Sequence, residues 1–116
     1  MHTRAVPAIT VECGPLTLRS ERQGDEHVVA LYGELDISGV EALDEELRRV
    51  EQSSVPQIII DLSGLEFLDS TGLRCLLKFH ARAAGRDVNV AFLRGSETVQ
   101  RVFEITDTVD RLTFLD

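Results

Sequence analysis

Hydrophobic positions along this chain change their period several times, and each change marks an element. Leu16-Thr17-Leu18-Arg19-Ser20-Glu21-Arg22 alternates with period two, as a half-exposed strand does. Gln23-Gly24-Asp25-Glu26 is a turn signal, and His27 to Tyr32 is a more apolar strand, so the pair predicts an antiparallel hairpin. Ile9 to Cys13 also alternates and reads either as an edge strand or as part of an N-terminal arm. That arm is expected to be flexible over residues 1–8, with the folded domain over 9–116. The period then lengthens: Val40, Leu43, Leu47 and Val50 recur at helical intervals, with Glu41, Asp44, Glu45, Arg48 and Arg49 on the other faces. Ser38 is the expected N-cap of this helix, with Glu41 at capping-box spacing, and Ser53, Ser54 and Pro56 close it.

Ile58-Ile59-Ile60 is a β-branched apolar run and reads as a buried central strand. A polar strand-and-loop unit beginning at Asp61 carries it into a second helix. The stripe of that helix is Leu73, Leu76, Leu77, Phe79 and Ala81, and it ends near Gly85. Val88 to Leu93 is another mostly buried strand. Ser96 caps a third helix with Val99, Val102 and Phe103 inward, and Leu112 to Leu115 has strand character. Strands joined through helices imply parallel neighbours with right-handed crossovers. The predicted fold is α/β, a mixed sheet with helices packed mainly on one face.

Composition narrows the function. At 116 residues the chain is one domain, and 43 % apolar with 28 % charged residues is ordinary for a globular protein. Twelve Lys and Arg stand against 20 Asp and Glu, a net charge of −8. Direct nucleic-acid binding is therefore not expected, because it requires a basic face. No run approaches the ~20 apolar residues of a membrane span, and no signal-peptide core stands near Met1, so a cytoplasmic protein without membrane attachment is expected. Cys13 and Cys75 make no metal-binding pattern and read as free thiols, Cys75 as a small buried hydrophobe.

The candidate chemistry is Asp69-Ser70-Thr71-Gly72, where the strand unit turns into the second helix. Asp, Ser and Thr all cap helices, but one would suffice, and glycine in a first turn costs roughly 1 kcal/mol against alanine. Close approach of another molecule is one reason to keep it. Catalysis by Ser70 lacks a base: His80 lies about 15 Å along the helix axis, and neither a nucleophile elbow nor a phosphate-binding loop is present. No enzyme activity, cofactor or metal is expected.

Asp61-Leu62-Ser63-x-Leu65-x-x-Leu68-Asp69-Ser70-Thr71-Gly72 resembles the signature of STAS domains, specifically the bacterial anti-sigma factor antagonists. Gly33-Glu34-Leu35-Asp36 matches a second element of that family, and the resemblance runs from about Leu16 to Leu115. It implies the same α/β fold and a switch. In that switch the unphosphorylated domain binds an anti-sigma factor with serine-kinase activity and frees a sigma factor. Phosphorylation at Ser70 ends the binding, and a serine phosphatase restores it. Asp36 and Asp69 are then expected to dock the partner and position the serine hydroxyl. Thr71 neighbours the acceptor, Gly72 permits close approach of the kinase, and Arg74 meets acidic groups on the partner. The alternative within the family is a structural subunit that is not phosphorylated, such as the STAS component of a lipid-transport ATPase complex. One departure stands out: relatives often carry Thr-Gly or Ser-Gly after the Phe of the last helix, and this chain has Phe103-Glu104-Ile105-Thr106-Asp107-Thr108.

Overall fold

The computed structural model describes residues 8–115, so the arm expected over residues 1–8 lies, but for Ala8, outside the described residues. Its elements are β1 (Ile9–Cys13), β2 (Leu16–Gln23), β3 (Glu26–Leu35), α1 (Ile37–Glu51), β4 (Gln57–Leu68), α2 (Ser70–Ala84), β5 (Asn89–Leu93), α3 (Glu97–Ile105), a 3-10 turn (Val109–Arg111) and β6 (Phe114–Leu115). The strands form one sheet in chain order, antiparallel from β1 to β3 and parallel from β3 to β6. This is the expected mixed sheet. β1 is an edge strand, paired with β2 from Ile9↔Ser20 to Cys13↔Leu16.

Alternation in β4 explains why it lies at the centre. Ile58, Ile60 and Leu62 are fully buried on one face, where they join the stripes Leu43, Leu47, Val50 of α1, Leu73, Leu76, Phe79 of α2 and Val99, Phe103 of α3 in one cluster. Burying each such side chain contributes roughly 1.5–3 kcal/mol. Phe92 stacks toward His80 of α2 and Phe114 of β6, and Phe114 meets Phe103 edge-on at 5.3 Å, tying α3 to the same side of the sheet as α2. Glu51, buried near the end of α1, pairs with Arg82 of α2 at 2.5 Å and clasps the two helices together. Beneath α1, Ser20 and His27 share a 2.6 Å hydrogen bond across β2 and β3, beside the Glu46–Arg49 ion pair.

Three local expectations are corrected. Ser38 is not the N-cap of α1. The helix begins at Ile37 with Asp36 in extended conformation as its cap, and the Ser38 N–H and hydroxyl both donate to Asp36 Oδ1. The unit after Asp61 is no loop: β4 continues to Leu68, with Leu65 and Leu68 inward. The unusual end of α3 forms a Schellman motif without glycine. Asp107 sits at φ 58°, its N–H donating to the Glu104 carbonyl and that of Thr108 to the Phe103 carbonyl.

Gly33 is fixed by its surroundings. It has φ 85° at an irregularity in the β3–β4 pairing, and a Cβ there would fall on the Pro15 carbonyl oxygen.

Candidate functional site

β3 and β4 run parallel and end in register, with Leu35 opposite Leu68. The next residue in each strand is an aspartate, and each aspartate caps the helix that follows. The Asp69 N–H donates to the Leu35 carbonyl at 3.2 Å, so the two turns are bonded to each other. Sequence elements separated by more than 30 residues thus become one platform at the carboxyl end of two strands, presenting the N-termini of α1 and α2 side by side.

Asp69 holds this platform together. Its Oδ1 accepts the Gly72 N–H at 2.9 Å and the Thr71 hydroxyl at 2.6 Å. Burial pushes its pKa up, but the Thr71 hydroxyl and the amides of Gly72, Thr71 and Ile37 outweigh that and hold the carboxyl below its ordinary 3.8. Ile37 is the first residue of α1, so the start of that helix also helps to lower the Asp69 pKa.

Neither aspartate holds the serine. Asp36 is taken by Ser38 and Asp69 by Thr71, which corrects the expectation that they position the Ser70 hydroxyl. Ser70 is exposed at the first position of α2, and its hydroxyl bonds to no described residue. Gly72 has a packing reason of its own. It is buried, and a Cβ on it would stand 2.7 Å from Leu35 Cγ and 2.8 Å from Leu68 Cδ1, so the core itself requires a glycine here. Arg74 is exposed one turn beyond Ser70 and pairs with no acid among the described residues.

An apolar rim went unread in the sequence. Ile37 is 75 % exposed beside the Asp36 cap, and Phe67 and Tyr32 are each 43 % exposed near the ends of β4 and β3. Ile37 falls off the buried stripe of α1, and that mismatch was the available signal. Two grooves flank α2: one of about 400 Å³ against α1, reached by Ile37, Val40, Thr71 and Cys75, and one of about 490 Å³ opening at Ser70. The Cys75 thiol is pushed up to about 11 by burial, with Asp44 adding to the effect, so it is an unreactive core residue. Among the described residues no cluster of metal ligands occurs and no helix is long and apolar enough to cross a membrane.

A family model described as "Mlab, STAS domain" matches residues 18–113. The chain belongs to the STAS domain family. As a STAS domain it is 30 % identical over 95 residues to the anti-sigma-B factor antagonist of Staphylococcus epidermidis, an alignment covering 82 % of this chain and 88 % of that one. An anti-sigma factor antagonist from Mycobacterium paratuberculosis matches its structure with a TM-score of 0.79 at 26 % identity, covering 85 % of this chain and 84 % of that chain. The anti-sigma factor antagonist SpoIIAA in its unphosphorylated form matches with a TM-score of 0.72 at 25 % identity, over 85 % and 88 % of the two chains. Both Asp-capped turns of this STAS domain lie within the matched residues.

Proposed function

We propose that this STAS domain is an anti-sigma factor antagonist whose partner binding is switched at Ser70. Its unphosphorylated form binds a cognate anti-sigma factor with serine-kinase activity and thereby frees a sigma factor. The observation that carries the reading is the exposed, unbonded Ser70 hydroxyl, set on a platform of two aspartate-capped turns that does not need it. The antagonist names of the relatives support the class of partner. Asp36, Asp69 and Arg74 supply polar contacts to the partner, Thr71 braces Asp69, and Ile37 and Phe67 supply apolar ones.

The kinase forms the Ser70 Oγ–P bond with the γ-phosphoryl group of ATP as ADP leaves, and its own base takes the hydroxyl proton. The product carries about −1.5 to −2 additional charges at that oxygen. It lies on the same edge as the carboxylates of Asp69 and Asp36, so a partner shaped to the unmodified surface meets both repulsion and a steric block. A serine phosphatase resets the surface. The domain itself works in the cytoplasm as a binding component without catalysis of its own.

The test is intact mass after incubation with ATP and the anti-sigma kinase of the same genome, beside a Ser70→Ala control. An adduct of one phosphoryl group on the native sequence alone, with loss of complex formation, is the expected result. Tight binding without an adduct would make Ser70 a docking residue only. If neither occurs, the structural-subunit alternative takes its place.

A further inference from the structure

The basic residues of this acidic chain are distributed unevenly between paired and unpaired. Arg19, Arg48, Arg49, Arg82 and Arg86 pair with carboxylates, and Arg22 donates to the Gly24 carbonyl. Arg74, Lys78 and Arg111, like Arg101 on α3, form no ion pair or hydrogen bond with a described residue, although acids outnumber bases 20 to 12. Arg74, Lys78 and Arg111 line one groove of about 490 Å³ together with Ser70, Leu73 and Leu77, while Arg74 and Lys78 also border the groove against α1.

We infer that this groove is the seat of the phosphoryl group carried by Ser70, with Arg74 and Arg111 as the cations that close on it. The inference rests on Ser70 being the phosphoacceptor proposed above. Arg74 is four residues along the same helix, so its Cβ stands roughly 5–6 Å from that of Ser70. Helical side chains lean toward the N-terminus, which carries the guanidinium back over Ser70. Arg111 comes from outside α2, from the 3-10 turn after α3. It is held there by its N–H bond to the Thr108 carbonyl, while the Thr108 N–H is fixed to Phe103 by the Schellman turn. A guanidinium presents a planar fork that matches two phosphate oxygens, and Lys78 adds a point charge to the same groove.

The clamp deepens the switch. Without phosphate, Arg74 is free to meet a partner; with it, Arg74 and Arg111 are turned onto the phosphoryl oxygens and the groove is filled. Phosphorylation thereby withdraws a cation from the docking surface as well as adding an anion to it.

Phosphoserine installed at position 70 during translation tests this without any kinase or partner. Its second ionisation is followed by phosphorus NMR in the otherwise native sequence, in Arg74→Gln and in Arg111→Gln. Free phosphoserine has a second pKa near 6. The clamp predicts a value lower by about half a unit or more, and a rise of a few tenths in each variant. Arg111→Gln is the sharper arm, because it leaves α2 and its terminus untouched. A guanidinium Nε–H shift of Arg111 on phosphorylation is also expected. Variants that titrate identically to the native sequence would overturn the clamp. So would an equal Arg111 shift on adding inorganic phosphate to the unmodified protein, since the groove would then be a general anion site. Failure of every kinase to modify Ser70 would bear on the proposed function alone.

Discussion

Gly72→Ala separates the two reasons for a glycine in the Ser70 turn. Alanine should favour the helix by up to about 1 kcal/mol, less at this first-turn position than in a helix interior. Against this, its Cβ would be 2.7 Å from Leu35 Cγ, 2.8 Å from Leu68 Cδ1 and 3.0 Å from Leu35 Cδ2, all closer than carbon atoms pack. Leu35 is fully buried and its Cγ is a branch point, so it has no free end to swing aside, and Leu68 is only 2 % exposed. Overpacking of this kind costs typically about 1–3 kcal/mol, so the net effect is a destabilisation of about 1–2 kcal/mol. Thermal unfolding followed by circular dichroism should show a Tm lower by roughly 4–8 °C, at about 4 °C per kcal/mol for a domain of this size. A Tm equal to or above that of the native sequence would refute the packing argument. If binding to the anti-sigma factor were lost at unchanged stability, the glycine would serve the partner after all.

Other expectations follow from the same geometry. Asp69→Ala removes the cap of α2 and the partner of Thr71, and chemical denaturation should register a loss of about 1–2 kcal/mol. Because the Asp69 pKa is lowered, its stabilisation is present above pH 3.8 and fades as pH falls through the folded value, so Asp69→Asn should flatten the acid limb of the stability profile. His27 is pushed below its ordinary 6.5 by burial and then by Arg49, so the unfolded chain binds the extra proton more readily. Stability should therefore be full above pH 6.5 and decline as pH falls toward the folded value, and His27→Gln should remove that slope. Asp107→Gly relieves a left-handed residue in the Schellman turn and should raise stability by about 0.5–1 kcal/mol, visible as a higher Tm.

The fold was legible because its elements are periodic. The Leu16 to Arg22 alternation and the α1 and α2 stripes name their buried faces directly. The Asp61 to Leu68 segment carries Asp61, Ser63 and Glu66 and does not alternate cleanly, yet hydrogen bonds to β3 hold it extended whatever points outward. Ser38 with Glu41 three residues on has the capping-box spacing, which draws the eye past Asp36. The cap was decided by where β3 ends, which the local sequence does not record. At the site, the motif identified Ser70 and both aspartates, but not their division of labour. That depends on register between β3 and β4, and so does the proximity of Ile37 to Asp69. Arg111 was invisible for the same reason, since only the fold carries it beside α2.

The aspartate-capped platform has a consequence for how long a signal lasts. The side-chain hydrogen bonds of the Ser70 turn are made by Asp69 and Thr71, and none by the Ser70 side chain. The scaffold is therefore indifferent to what its serine carries. On the switch proposed above, the domain's two states would differ by a covalent bond and not by the backbone of the turn. Phosphate monoesters hydrolyse extremely slowly without an enzyme, so a modified molecule keeps its record through dilution, partner loss and thermal fluctuation. Under that proposal its memory would be erased only by a phosphatase.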